Sequence, residues 1–554
     1  MTLQVDPQLA LSILNSLPFL VHYPYECTEQ LLDRYVPLAI VDSFYRKNPA
    51  LAAAAKKIPK RDTITPAWDR SDPRRLTQLM ETPWEELSKG IKSPWPLIDM
   101  FDPKTVQREL MESLAKLSRY QEYDGGFPWF PGGHSDPYMT LLVLAGFAEA
   151  QRYEVTAPLP IIQKALGYVN NEIPKHLKPE EGELSLILYA AYVVTSYPKK
   201  TPGAELGWKF AKAWADYADK HMEALTPLGK AYAAFVYWRL GEKEKGDLYL
   251  DRALDGARED PIAGVYWAPE KISWFWYNDT VEKHAFFLRT LLTLRPKDKR
   301  IPGMVQWLLF NRKGNEWKST KASAAAIFSL LDVLRTRGAL DKGDKYRADW
   351  GESHEAADVE PYDWLEKPLR WTRYGAEIGS KQGAATIDKE GPGLAFASLT
   401  WIYTTDQMAK ASGPGMIELA RTFFLRSKKG DEYHLSPLSS GDTVHVGDQI
   451  EVQLKINTRS QFEYVHLKDP KIAGFEAEEL LSGWKWDNLS RYEEPRDSLT
   501  NFFISWLPHG EYVLRYRLRP TSAGNYRLGA AVLQSMYAPE MSAHSEGFKL
   551  NVVE

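Results

Sequence analysis

From about residue 6 to residue 340 the apolar positions recur at helical spacing, and the segments come in pairs. Residues 105–120 pair with 136–152, 160–173 with 183–196, 204–220 with 227–240, 243–257 with 279–294, and 303–311 with 319–336. The second member of each pair is rich in small residues, as in Lys321-Ala322-Ser323-Ala324-Ala325-Ala326-Ile327-Phe328. Small side chains let helices approach closely, so these members are predicted to be the buried inner helices of a double ring. Between the pairs lie glycine-aromatic loops: Asp124-Gly125-Gly126-Phe127-Pro128-Trp129-Phe130-Pro131-Gly132-Gly133, Gly264-Val265-Tyr266-Trp267 and Gly314-Asn315-Glu316-Trp317. Glycine makes the turn and the aromatic ring plugs the hairpin end. Repetition of helix, loop and helix predicts an α/α toroid. Residues 52–102 fit the repeat poorly, and their prolines and charges predict a surface insertion.

Beyond residue 340 the period changes to two. Segments 386–387, 394–403, 443–456, 500–506, 511–518 and 526–533 are β-branched or aromatic, divided by turn signals such as Ser440-Gly441-Asp442 and Pro508-His509-Gly510. They predict an all-β region arranged as a sandwich. Residues 341–363 are charged and weakly periodic, so they read as a linker. Leu3-Gln4-Val5 is expected to be a strand that returns to the β region and ties the toroid's ends together. The fold class is therefore multidomain α + β, a toroid followed by a β-sandwich.

Composition narrows the function. At 44% apolar and 26% charged residues the chain is an ordinary globular protein, long enough for several domains. A net charge of −4 and the lack of a basic run exclude a tract for nucleic acid. The longest apolar stretch, 184–194, is too short to span a bilayer, and Met1-Thr2-Leu3-Gln4-Val5 has none of the marks of a secretory signal. Gly391-Pro392-Gly393 reads as a turn and not a phosphate loop. His354-Glu355-Ala356-Ala357-Asp358 has Asp where a zincin helix needs its last ligand. Neither a metal nor a cofactor is expected.

The chain holds a single cysteine, which excludes an intrachain disulfide framework and a multi-cysteine zinc site. Cys27 sits in His22-Tyr23-Pro24-Tyr25-Glu26-Cys27-Thr28-Glu29-Gln30. A thiol three positions before a glutamine can attack its carboxamide, expel ammonia and close an internal thioester ring. Sulfur donates poorly to the carbonyl, so the ring acylates amines or hydroxyls that reach it. It needs a turn into a helix to form, which Pro24 and the apolar run after Gln30 predict. It also needs an enclosure that excludes water, for which Tyr23, Tyr25 and the Phe127-Pro128-Trp129-Phe130 loop are the candidates. The plain reading of a lone cysteine beside a helix is a small buried hydrophobe.

Tyr23-Pro24-Tyr25-Glu26-Cys27-Thr28-Glu29-Gln30 resembles the thioester signature of the alpha-2-macroglobulin family, especially its bacterial members. Asp124 to Phe130 followed by Asp136-Pro137-Tyr138-Met139-Thr140 agrees, as do Trp317-Lys318-Ser319-Thr320-Lys321-Ala322, Leu507-Pro508-His509-Gly510-Glu511-Tyr512, Ala523-Gly524-Asn525-Tyr526 and Met536-Tyr537-Ala538-Pro539-Glu540. The resemblance implies Cys27 and Gln30 as a thioester pair in a toroid domain over 1–340. It further implies a linker and remnant of the small β host domain over 341–410, and a last macroglobulin-like β-sandwich over 411–554. It implies Met536 and Tyr537 as a lid that helps to shield the ring. The family's whole proteins are longer and trap proteases, so the chain is expected to be the C-terminal portion of such an inhibitor and not an enzyme. Its expected partners are proteases and the upstream macroglobulin-like domains, and its location the periplasm or cell surface. Some members place a histidine by the thioester to favour hydroxyls. No residue around Asn170-Asn171-Glu172-Ile173 matches it and His176 reads as a surface residue, so amine preference is expected.

Two rival readings accompany this one. An α/α-toroid glycoside hydrolase or polysaccharide lyase would use carboxylates such as Asp124 and Asp279 as acid and base and the abundant Trp and Tyr as sugar subsites. A thioester-less module would only bind partners. The enzyme reading leaves the cysteine string unexplained.

Overall fold

The computed structural model describes residues 1–6, 26–47, 102–156, 158–178, 181–267, 279–312, 316–339, 342–360, 369–403, 407–536 and 541–554, with scattered positions between 13 and 53. The predicted insertion at 52–102 lies almost wholly outside them. The chain forms two units, Met1–Ala257 with Glu270–Trp401, and Arg258–Pro269 with Ile402–Glu554.

The named helices of the first unit begin with α1, Thr28–Lys47. They continue through α2 (Pro103–Arg119), α3 (Pro137–Arg152), α4 (Leu159–Glu172), α5 (Glu181–Val194), α6 (Ala204–Asp219), α7 (Pro227–Arg239), α8 (Lys243–Leu254), α9 (Thr280–Leu294), α10 (Ile301–Phe310) and α11 (Thr320–Arg337). Helices α1, α3, α5, α7, α9 and α11 each pack on the next, and α11 returns to pack on α1, which closes an inner ring. Outside it, α2 lies on α1, α4 on α3, α6 on α5 and α7, α8 on α7, and α10 on α9. The double ring is the one that the paired segments predict, and the small-residue members are the inner ones. Their burial runs around the helix, since each touches ring neighbours on both sides and an outer helix behind; α11 buries Ala322, Ala324, Ala326, Ser323 and Ser329 as well as its leucines. Several helices start on a side chain that accepts their free N–H groups: Asp102 for α2, Asp136 for α3, Thr226 for α7, Asp279 for α9 and Ser319 for α11.

The β part of this unit is two small sheets. Strand β1, Thr2–Asp6, lies between Leu369–Thr372 and Phe396–Thr400, antiparallel to both, with Leu3 opposite Trp371 and Leu399. Asp344–Trp350 lies between Ser353–Val359 and Ala385–Glu390. Leu3, Ala348 and Trp350 form their shared core, with Trp371, Ile387 and Leu399 packed around it. The returning N-terminal strand is thus as expected, and the Met1 amino group donates to Arg373 O at 2.8 Å. The linker reading of 341–363 is corrected: most of it is a β-hairpin. Tyr346, Ala348 and Trp350 point inward in alternation, but charged residues on the other face hide that period.

The second unit is all-β. A 5-stranded sheet runs in the order Glu432–Leu438, Ile417–Lys429, Gln449–Thr458, Gly510–Pro520, Phe475–Ala477. A 6-stranded sheet runs Gly483–Lys485, Arg491–Pro495, Leu499–Leu507, Phe462–Pro470, Val532–Ser535, Ser542–His544. Leu454, Ile456 and Leu514 of the first meet Val465, Leu467, Phe502 and Ile504 of the second in one core, which makes the predicted sandwich. Across that core Arg421 Nη1 pairs with Asp469 Oδ1 at 2.5 Å, both fully buried, and the Tyr516 hydroxyl donates to Asp469 Oδ2 at 2.8 Å. The hairpin Arg258–Asp260 to Gly264–Tyr266 groups with this unit, although its sequence falls among the helices.

Leu3→Ala should cost about 2–4 kcal/mol of stability in the unit that holds β1. Amide exchange at Arg370 and Ser398 should quicken while that of Gln449–Thr458 stays unchanged; equal change in both units would contradict this assignment of the core.

Candidate functional site

Cys27 occupies the N-cap of α1: its carbonyl accepts the first helical bond, from Leu31 N at 3.0 Å. Gln30 is then the third helical residue, and its side chain turns back so that Oε1 accepts from Cys27 N at 3.1 Å. This is half of a capping box, and it is the local geometry that brings a carboxamide to the residue bearing the thiol. Cys27 is 5% exposed and in no disulfide. Burial, with the Glu29 carboxylate adding to it, pushes the thiol pKa up against the hydrogen bond from Gln30. The sulfur is therefore held protonated, a poor nucleophile on its own.

The start of α1 is fastened by the loop after α2. Thr28 N donates to Trp129 O at 3.0 Å and Thr28 Oγ1 to Pro128 O at 2.5 Å. Phe127 is buried, its N donates to Thr140 Oγ1 at 2.8 Å, and its carbonyl accepts from Asp136 N at 2.9 Å. Gly125 takes φ +92°, and a Cβ there would stand 2.4 Å from Lys164 O, so only glycine fits the turn. On the other side the Tyr120 hydroxyl donates to Glu26 O at 3.0 Å, and Glu26 pairs with Lys116 at 2.5 Å and Arg34 at 3.3 Å. The Lys116 hydrogen bond foremost, opposed by desolvation, holds the Glu26 carboxyl below its ordinary value.

Glu29 bridges the sulfur to the ring interior. Its Oε1 accepts from Thr320 Oγ1 at 2.7 Å, and its Oε2 lies 3.8 Å from Cys27 Sγ. Behind it are two further acids, Asp33 buried and Glu282 mostly so. Glu282 pairs with Lys321 at 2.8 Å, and Lys321 Nζ reaches the Tyr138 hydroxyl at 3.2 Å. Asp33 Oδ2 and Glu282 Oε1 are buried with no hydrogen-bond partner. Burial first, and then Glu29, pushes the Asp33 pKa well above the carboxylate range. Burial pushes Glu282 up to about 7, opposed by Lys321. Glu282 therefore exchanges its proton near neutral pH, and Asp33 is biased toward its protonated form.

The sequence-predicted residues are only partly brought together. Tyr23, Tyr25 and Tyr537 lie outside the described residues. Trp129 reaches the site through its carbonyl and is half-buried, while Phe130 is exposed. Met536 belongs to the second unit, is 41% exposed, and donates its N–H to Tyr464 O at 2.9 Å. His176 Nδ1 lies 3.0 Å from Glu183 and its Nε2 3.8 Å from Glu172, a half-buried position between two carboxylates. The two acids of the carbohydrate-enzyme reading are otherwise engaged. Asp279 caps α9 and pairs with Lys318 at 3.1 Å, and Asp124 accepts from Gly126 N and Ser135 Oγ in its turn. His354 stands on a strand beside Asp349. Sequence reasoning missed Glu29 as the bridge, and Asp33, Thr320 and Glu282 behind it; Glu29 lay in the motif, but its partners converge from three helices.

No helix among the described residues is long and apolar enough to cross a membrane, and none of their His, Cys, Asp and Glu form a group of three or more able to hold a metal. Residues 417–540 match the family model of the bacterial alpha-2-macroglobulin MG10 domain. A curated relative, the alpha-2-macroglobulin of Thermotoga maritima, is 21% identical over 277 residues, 49% of this chain and 15% of the relative. Circularly permutated Ras protein 2 of Dictyostelium discoideum is 22% identical over 168 residues, 30% of this chain and 4% of the relative. The chain thus spans only a small part of the curated relatives it matches. Among solved structures, trypsin-activated alpha-2-macroglobulin of Escherichia coli aligns over 100% of this chain and 34% of its own, at 16% identity and TM-score 0.49. The native Escherichia coli protein from domain MG7 to the C-terminus aligns over 100% and 77%, at 16% identity and TM-score 0.40.

The raised Glu282 pKa has a stability consequence whose sign is fixed. Between the ordinary value of 4.5 and about 7 the folded state binds more protons than the unfolded one, so this group's contribution is present at low pH and lost as pH rises through that window. Glu282→Gln should make the fall in unfolding free energy between pH 5 and 7 shallower, by about 3 kcal/mol at most. Urea unfolding at a series of pH values reads this; identical slopes would contradict it. The other groups facing it, Asp33 and Glu29 on α1, Tyr138 on α3, Asp279 at the α9 cap and Lys321 on α11, remain in both proteins.

Proposed function

We propose that this chain, which carries an MG10 domain of the bacterial alpha-2-macroglobulin type, is the C-terminal portion of a protease-trapping inhibitor whose reactive group is a Cys27–Gln30 thioester. The observation that supports it is the Gln30 carboxamide folded back onto Cys27 at a buried helix start. Formation is written as attack of Sγ on Gln30 Cδ: the C–S bond forms, the C–N bond breaks, and ammonia leaves with the thiol proton. Acylation reverses the roles: a lysine amine attacks the carbonyl, the C–S bond breaks, an amide forms, and the amine proton goes to sulfur. Glu29, whose Oε2 lies 3.8 Å from the sulfur, with Asp33 behind it pushed toward its protonated form by burial, would pass that proton. A helix N-terminus at the carbonyl favours the negative charge of the tetrahedral intermediate.

Trapping in this reading belongs to the longer protein. Upstream macroglobulin-like domains sense the protease, and this portion bonds covalently to its lysines. Tyr23, Tyr25, Trp129, Met536 and Tyr537 are proposed as the shield on sequence resemblance, and the periplasm or cell surface as the location. His176 is engaged by Glu172 and Glu183, which supports amines over hydroxyls as acceptors.

Intact-mass analysis of gently purified protein should find the chain lighter by one ammonia, and methylamine should add its whole mass to that species and release a titratable thiol. Cys27→Ala and Gln30→Ala should each have the unmodified mass and ignore methylamine. A free thiol with an intact Gln30 in fresh material would overturn the thioester. In a mixed panel of methylamine and glycerol, amides should predominate; mainly esters would overturn the amine preference.

A further inference from the structure

A cavity of about 220 Å³ runs down the axis of the helical ring. Asp33, Tyr138, Glu282 and Lys321 lie at the end nearest Cys27, close to the starts of the inner helices. At the other end, near their last turns, are Arg152, Arg239, Arg289 and Trp238. None of the proposed acylation chemistry uses this second end.

The charges at that end do not balance. Arg152 pairs with Asp332 at 2.9 Å and with Glu149 at 3.2 Å, Arg289 with Asp332 at 3.1 Å and also with Glu149, and Arg335 with Asp332 at 3.1 Å. Those two carboxylates are thereby spent. Arg239 has no carboxylate partner among the described residues. Its Nη1 donates only to neutral oxygens: Tyr192 O at 2.7 Å, Ser196 Oγ at 3.0 Å and Thr195 Oγ1 at 3.1 Å. Its guanidinium lies 4.7 Å from the Tyr192 ring centre and 5.1 Å from that of Phe235. Burial, with repulsion from Arg152 and Arg289, pulls its pKa below the ordinary arginine value. A guanidinium so placed gains from an anion more than an exposed one does, because the site is partly desolvated. The walls around it are apolar and aromatic, with Phe286, Phe328 and Ala325 in the lining, and Trp238 at the mouth is 39% exposed.

We propose that the Arg239 end of the axial cavity is a binding site for a small organic carboxylate, with its carboxyl on Arg239 and its apolar body against the Tyr192–Phe235–Trp238 wall. The planar fork suits a carboxylate, and the aromatic lining suits a ring or branched chain behind it. The site is independent of the thioester reading, since it lies at the far end of the inner helices from Cys27.

Isothermal titration of the full chain with benzoate, inorganic phosphate and benzylamine tests this. Benzoate should bind saturably in the micromolar to millimolar range, phosphate more weakly, and benzylamine not at all. Arg239→Gln should weaken benzoate about tenfold or more, with far-ultraviolet circular dichroism unchanged. Ser196→Asp, which places a carboxylate beside the guanidinium, should abolish binding by occupying the site from within, and serves if Arg239→Gln does not fold. Cys27→Ala should bind benzoate as the parent does. Absence of saturable benzoate binding, or equal affinity in the parent and both site variants, would overturn the proposal. Phosphate as tight as benzoate would overturn its apolar half.

Discussion

The helix that begins at Cys27 starts with Cys27 and Thr28 buried, so their N–H groups need partners from the protein. Its beginning is held by other parts of the chain: the Pro128 and Trp129 carbonyls take Thr28, and the Gln30 side chain takes Cys27 N. That requirement explains much of what surrounds it. The 124–133 loop needs Gly125 to turn against Lys164 and buried Phe127 to anchor it, so that two carbonyls point at one helix start. The same requirement folds the glutamine amide back onto the cysteine. The helix cap and the proposed reactive pair share one geometry, and the chemistry proposed for the site uses an arrangement the fold already needs.

The inner ring creates a second constraint. Parallel inner helices put all their starts at one end and all their finishes at the other, so the axis carries a gradient of helix-terminal charge. At the starting end are Glu29, Asp33 and Glu282 with Lys321; at the finishing end are Arg152, Arg239, Arg289 and Arg335 with Glu149 and Asp332. Acids at helix starts and arginines at helix ends complement those partial charges. The complement overshoots: unpartnered carboxyl oxygens remain on Asp33 and Glu282 at one end, and an arginine without a carboxylate remains at the other. Those are the groups free to hold a proton or an anion.

How much of this was legible depended on whether the signal was local. The inner helices were readable because small residues at helical spacing have one common use, close packing; α11 shows it in Ala322 to Ala326. The cysteine and glutamine were readable because three intervening bonds along a helix turn bring them together wherever the chain sits. The hairpin at Asp344–Val359 was not readable, because charges on its outer face outnumber the inward Tyr346, Ala348 and Trp350. The Pro128 and Trp129 carbonyls that take the helix start were not readable, because no side-chain pattern announces backbone contacts.

Sequence by itself determined the order of helical ring and sandwich, which helices lie inside, and the spacing that turns the Gln30 side chain back to Cys27 N, since periodicity and short spacing act within a few residues. Only the tertiary structure decided which distant groups meet. Closure of the ring set Thr320 against Glu29, Glu282 against Lys321 behind Asp33, and Arg239 between Arg152 and Arg289 without an acid to match it. Burial then pushed the Asp33 and Glu282 carboxyls up and pulled Arg239 down, because the cost of desolvating a charge depends on everything packed around it and not on its neighbours along the chain.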